Sequence, residues 1–404
     1  MSADIEFADI SPDTVREISE RLDEPDWLLE QRLDALEALP DLPLPDVIQT
    51  PGRRWTNLDA LDFDSLVDPL NAAEEKDQTG PSDVAVLPLA DAIAERPDVV
   101  REHFGSVIDP TENYLTALSA ALFTTGTVVF VPEGVQADEV TIRTRMNAQS
   151  LFNYTLVISE PSSDVTILER QSTDAAADQD RYYSGIVEIA AGQNSHVQYG
   201  SLQELDDDTY VYSLKRADVS RDAEVTWIEA NLGSRLTKAS VETRLSGEGS
   251  ETQIIGAFFG HDDQHVDIAS RVWHRNEHTT ADLVTRGVLD DEARSVYEGV
   301  QHVGKEAWHT SSYQRENTLM LSDESEADAS PKLIINNHET EASHSATVGQ
   351  VDAQDLFYMN SRGIPEAEAK NMLVEGFFVP VFEEIAVEEF RADLEAKIIQ
   401  RLED

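Results

Sequence analysis

The sequence predicts a mainly β protein, a β-solenoid set between an N-terminal and a C-terminal helical region. Three observations carry that prediction. From about Gly126 the hydrophobic period changes from helical to short strands, each bounded by Gly, Asn, Asp or Ser. A unit of polar turn, small residue and β-rich strand then recurs at GQNSHVQYG, SRDAEVTWI and GEGSETQII. Its small residues Ser195, Ala223 and Ser250 stand about 28 and about 27 residues apart, a spacing that marks solenoids. No helical segment of usable length interrupts the strands. A sandwich would also suit short, regularly punctuated strands, but the repeat favours a solenoid.

In chain order, residues 1–110 read as a helical domain with a linker. Ser11-Pro12-Asp13 opens the first helix with a capping residue followed by Pro in the first turn. Val15, Ile18, Leu22, Trp27, Leu28, Leu33, Leu36 and Leu39 continue at helical spacing, and the proline-rich stretch Pro40–Pro51 ends the unit. The run NAAEEKDQTGP, from Asn71 to Pro81, is polar and turn-rich and reads as a surface linker. Another amphipathic segment spans Leu87 to Phe104. Residues 111–351 form the solenoid core. Its early strands are Thr127–Pro132, Val140–Thr144, Tyr154–Ser159 and Val165–Leu168, and looser echoes of the repeat follow at LDDEARSVYEGV and SDESEADASPKLII. Residues 352–404 are helical again. Ile364-Pro365-Glu366 is a good helix opening, and a final helix from Ala386 to Leu402 places Phe390, Leu394, Ile398, Ile399 and Leu402 on one face.

The chain has 404 residues, 79 of them acidic and 30 basic, for a formal charge of -49. Such a surface offers no basic face, which excludes nucleic acid and disfavours an anionic membrane. The acids are spread along the whole chain and lysines number only seven, which fits a salt-adapted, halophilic surface better than one acidic binding patch. There is no cysteine, so disulfides, zinc fingers, thiol nucleophiles and self-supplied thiolate ligands are ruled out. The acidic start, Met1 to Ile10, lacks the pattern of a secretory signal, and no apolar run approaches a membrane span. A soluble, cytoplasmic protein is expected.

Eight of the ten histidines follow residue 260. His261/His265 and His274/His278 are i, i+4 pairs, but on a strand such a pair lies about 13 Å apart, too far for one metal. Gly299–Lys305 matches a phosphate-loop pattern but continues to Glu306, where a magnesium-binding hydroxyl belongs, so it reads as a turn and the chain is expected to hold no nucleotide site. The pairs Asp262/Asp263 and Asp290/Asp291 suit glycoside hydrolysis, yet such pairs arise by chance among 79 acids. The densest unusual stretch is Glu341–Asp352. His344, flanked by Ser343, Ser345 and Ala346, has room around it. It reads either as an iron ligand or as a histidine hydrogen-bonded in a tight solenoid end.

This stretch resembles the SufB/SufD family of iron–sulfur cluster assembly scaffolds. The resemblance rests on S-H-S-A-T-V-G-Q-V-D, then D-L-F-Y-M-N-S-R-G-I-P-E-A-E-A, then L-V-E-G-F-F. It extends to Gly287–Gly299, His278–Thr280 and SSYQRENTLMLSDESEADASPKL. Near the N-terminus, the Trp27 region with Arg32 and the Arg54-Trp55-Thr56 segment are similar to D-type members. B-type members carry E-H-E-A-T-T and an upstream cysteine, so this chain is similar to the D-type, SufD-like branch. The resemblance implies a right-handed parallel β-helix and a heterodimer with SufB. It also implies a C-terminal helical domain that docks the SufC ATPase. A transient iron–sulfur cluster shared with SufB would then be held in part by His344 as an iron ligand. Tyr358, Arg362, Gly363, Ile364, Phe377 and Phe378 fall in the segment matching the ATPase-docking region, Arg362 being the leading candidate. One departure stands out: many D-type members have a cysteine where this chain has Ala342, so any sulfur must come from the partner. A non-catalytic scaffold is the expected role, and a homodimer is expected as a possible state of the isolated chain. The residues alone leave two other classes open, a stand-alone homodimeric β-solenoid binding protein and a solenoid carbohydrate-active enzyme.

Overall fold

The computed structural model describes residues 10–50, 53–58, 61–71, 74–173, 179–385 and 387–403. The expected acidic start lies outside the described residues except for Ile10, and so does Ala386, where the last helix was expected to begin. Successive strands from Thr125 to Gln350 alternate between two nine-stranded sheets. The first sheet runs from Thr340–Gln350 through Thr310–Met320 and Thr280–Leu289 to Gln136–Met146 and Glu74–Thr79. The second runs from Glu326–Ile335 through Arg294–Val303 to Thr125–Val131 and Ala85–Pro88. Pairing is parallel throughout, except that Glu74–Thr79 and Ala85–Pro88 close their sheets antiparallel. This is the β-solenoid of the sequence reading. His196 pairs with Glu224, Glu224 with Glu251, Glu251 with Thr280 and Thr280 with Ser311, so one rung takes 27 to 31 residues.

The repeat is a corner. Ser195, Ala223 and Ser250 are buried just before their strands because a larger side chain would not fit the bend. Ser195 and Ser250 each donate a hydroxyl hydrogen bond of 2.7 Å to a glycine carbonyl of the same turn. The residue before each of them is left-handed, as are Ser162, His278 and His309 at the equivalent corners. Asn, Asp and Gly accept that conformation readily. Each left-handed N–H then donates to the next corner, as Asn194 does to the Arg221 carbonyl (2.9 Å) and His278 to that of Trp308 (2.8 Å).

Three apolar layers result. Val165, Tyr199, Trp227 and Leu283 fill the interior. The N-terminal helices pack on the outer face of the second sheet, around Phe152, Tyr154, Ile186 and Leu214. The C-terminal helices Glu366–Glu384 and Glu388–Glu403 cover the first sheet, with Phe378, Phe390 and Leu394 against Leu168, Ile228 and Ile255. Ser11 caps the helix Pro12–Arg21, accepting from Thr14 N–H at 3.2 Å. Arg32 is fully buried, bonded to Glu24 (2.6 Å) and to the carbonyls of Ala121 and Phe123, so it ties the helix Asp26–Ala38 to the end of the helix Tyr114–Leu122.

Three readings of the N-terminal third are corrected. The run 71–81 is not simply a linker: Glu74–Thr79 is a strand, because Gln136–Met146 offers it an edge that local sequence cannot reveal. The helix Tyr114–Leu122 was not foreseen. Every residue in it is buried, and a helix apolar on all sides shows no amphipathic period. The segment 87–104 divides into the end of a strand and two short helices, broken at Arg96-Pro97.

Candidate functional site

The solenoid ends differ. Beyond Thr340–Gln350 and Glu326–Ile335 neither sheet continues among the described residues; the first of these edge strands is exposed for most of its length and the second is largely half-buried. Ile334, Ile335 and Val348 are exposed there, with Trp308 and Tyr313 on the rung beneath. His344 lies on the first of these strands, in register with Gln314. Burial alternates along Thr310–Met320, with Ser312, Gln314, Glu316 and Thr318 facing the interior. Parallel register therefore puts Ala342, His344 and Ala346 on the interior side, and His344 sits at the mouth of the solenoid. It is exposed and its imidazole makes no hydrogen bond among the described residues.

One rung down, beneath Ala346, Glu316 is fully buried and accepts one hydrogen bond, from the Thr318 hydroxyl at 2.6 Å. Burial pushes its carboxyl up to about 7. The sequence reading overlooked it, although the polar even-numbered positions of this strand were a visible signal.

The residues matching the docking segment separate. The helix Ala353–Ser361 buries none of its side chains; Phe357 is 75% and Tyr358 58% exposed. Arg362 stacks over the Tyr358 ring at 5.1 Å and donates to its hydroxyl at 3.2 Å, fixing the turn in which Gly363 takes φ +90°. Ile364 is half-buried. Phe377 lies under the Arg286 guanidinium and its carbonyl accepts from Arg286 at 2.8 Å. Phe378 is 0% exposed in the layer against the first sheet, so its place is packing. Met372 and Val379 are further exposed apolar residues of the helix Glu366–Glu384.

The histidine pairs do not share strands. His261 sits in the turn before the strand His265–His274, and His278 in the turn after it. Burial pushes His265 and His274 down to about 4, which keeps both imidazoles neutral. His265 meets the Thr56 hydroxyl and His274 meets Thr279 and Gln301. His278 and His309 stack at 4.9 Å along the corner. His261 instead joins Asp207 and Asp262, whose ligand atoms lie within 4.8 Å of one another on the surface. Gly299 lies inside the strand Arg294–Val303 and Lys305 in the following turn, so the phosphate-loop pattern builds no loop. The cleft around Arg216, Lys238 and Arg271 has its charges paired within the chain: Arg216 with Glu112 and Glu242, Arg271 with Glu242 and Glu298, and Lys238 with Asp267. No described helix is long and apolar enough to cross a membrane.

Residues 141–377 match the SufBD core domain of the SUF system of FeS cluster assembly, and residues 57–142 match the SufBD N-terminal region. The chain is 28% identical to the iron–sulfur cluster assembly protein SufD of Bacillus subtilis, over 97% of this chain and 98% of that one. It is 27% identical to SufB of the same organism and to a SufBD family protein of Staphylococcus epidermidis, in each case over 94% of this chain and 90% of the relative.

Proposed function

The chain belongs to the SufBD family of the SUF iron–sulfur cluster assembly system, and from that premise we propose that it is a SufD-type scaffold subunit. It pairs with a SufB homologue and docks a SufC ATPase, in the cytoplasm. The observation that carries this reading is the open solenoid end, where two long unpaired edge strands stand beside exposed Ile334, Ile335 and Val348. Unpaired strand edges recruit another sheet. Identities of 28% and 27% do not separate SufD from SufB. The D-type reading is supported by the absence of cysteine and by S-H-S-A-T-V at residues 343–348.

The cluster is cargo held at that joint. His344 supplies an imidazole ligand, and every thiolate comes from SufB, since this chain has none. SufC docks on the exposed helix Ala353–Ser361 and the turn after it, with Tyr358 and Arg362 as anchors. Gly363 shapes that turn and Ile364 borders it. Phe377 and Phe378 hold the next helix on the solenoid, so motion of SufC is passed to the open end through a packed layer. Without SufB, two copies of the chain pair through the same edges.

The test is capture of SufB and SufC homologues by the tagged full-length chain in high salt. Binding of both, with SufB lost on Val348→Lys and SufC lost on Arg362→Glu, is the expected result. A folded wild-type chain that captures neither partner overturns the reading.

A further inference from the structure

The helix Glu366–Glu384 carries two helix-breaking residues four positions apart, Gly376 and Pro380. Proline has no N–H to donate, and the carbonyl it would have served, four residues earlier, is that of Gly376. One bond of the helical ladder is therefore missing between them. Glycine weakens the same turn, because it has the most conformational freedom to lose in a helix. Packing does not require it: a Cβ built at Gly376 would meet no heavy atom within 4 Å, and the position is exposed. Nor does the backbone, since the described glycines with positive φ are Gly105, Gly134, Gly249 and Gly363. What glycine supplies here is freedom to bend.

The chain is held very differently on the two sides of this break. After it, Phe378, Val381 and Ile385 are 0% exposed in the layer against the first sheet, and Phe390 and Leu394 of the next helix join them. Polar contacts add to that hold. Arg286, on the strand Thr280–Leu289, donates to the Phe377 carbonyl at 2.8 Å; Gln253 donates to Glu384 at 2.8 Å, and Lys397 pairs with Glu204 at 2.8 Å. Before the break, the helix Ala353–Ser361 buries no side chain, and only Ala369 and Val374 are buried between Glu366 and Glu375. Among the described residues, the side-chain hydrogen bonds made by residues 352–370 stay within that segment.

We propose that residues 353–375 form a swinging arm, with Gly376–Pro380 as its hinge and Arg286 as the clasp that fixes the hinge to the solenoid. Arg286 suits that place because it bonds the carbonyl one residue past Gly376 and lies over the Phe377 ring at 4.8 Å. The arm rejoins the solenoid at Val351-Asp352, where the strand Thr340–Gln350 has ended and the next helix has not begun. It therefore pivots on two short segments and stays attached at both. A hinge of this kind takes up a rotation in a few residues while the packed elements beside it keep their contacts. The surface that moves is the one carrying Phe357, Tyr358 and Met372. That a docked ATPase subunit drives the swing rests on the scaffold reading, which partner capture by the wild-type chain tests separately; the hinge itself is seen without any partner.

The chain has no cysteine, so two introduced cysteines are the only sites that take a nitroxide label. Lys305→Cys marks the solenoid, Glu368→Cys the arm and Glu395→Cys the helix after the hinge, all at exposed positions. Double electron–electron resonance on the full-length protein in high salt gives the spread of each label-to-label distance. The spread from solenoid to arm should be at least about twice that from solenoid to the later helix. Pro380→Ala, which restores the missing N–H, should narrow the first spread to match the second, and Gly376→Ala should narrow it part of the way. Circular dichroism establishes that each variant is folded. Equal spreads for the two pairs in the chain with its natural hinge, or a solenoid-to-arm spread unmoved by Pro380→Ala, overturn the proposal.

Discussion

Replacing Glu316 by Gln should stabilise the protein, and by an amount that depends on pH. The carboxyl stands at about 7 in the folded chain against 4.5 when unhindered, with burial as the leading cause. Below pH 4.5 it is protonated in both states, and wild type and variant should have equal stability. Between those values the unfolded chain has released a proton that the folded chain retains, so wild-type stability falls as pH rises. Above about pH 7.5 the folded protein holds a buried carboxylate, and the full difference amounts to about 3 kcal/mol in favour of the variant. Tyr297 faces this group across the interior and His344 stands on the adjoining strand; neither supplies a fixed positive charge that would offset the burial. Urea denaturation at several values between pH 4.5 and 8.5 measures the difference, and the chain's other acids cancel in the comparison. Parallel curves for the two proteins would refute the reasoning, because they would mean that Glu316 is hydrated or paired in the folded state.

Phe378→Ala should lose about 3–5 kcal/mol of stability, read by the same denaturation, since it empties a fully buried position between helix and sheet. The exposed pair Tyr358→Ala and Arg362→Glu should abolish SufC capture while leaving the unfolding midpoint within about 0.5 kcal/mol of wild type. Ile334→Lys with Val348→Lys should prevent both SufB capture and self-association, seen as a monomer in sedimentation, because charges on an edge oppose strand pairing.

Much of this architecture is legible in the chain. The corner residues Ser195, Ala223 and Ser250 announce the rung length because these successive bends each bury a small side chain, a constraint that is local and repeated. Ser11 announces its helix for the same kind of reason. Glu74–Thr79 gives no such sign, since its partner lies some 60 residues away and a charged run becomes a strand only where an edge is offered. His344 is legible through its motif, whereas Glu316 is hidden among 79 acids and joins the few buried ones only in the fold. Phe378 and Tyr358 look alike as aromatic residues near the C-terminus; packing alone separates the one that holds the helix from the one left exposed.

The unequal ends of the two sheets also bear on stoichiometry. At the far end the edges are the four-residue Ala85–Pro88, which finishes in proline, and the short Glu74–Thr79, with sequence EEKDQT. Short, charged and proline-ended strands are poor templates. At the near end the edges run ten and eleven residues. Two chains joined at their long edges would turn only the protected ends outward, so assembly by this route counts to two and cannot propagate into a filament.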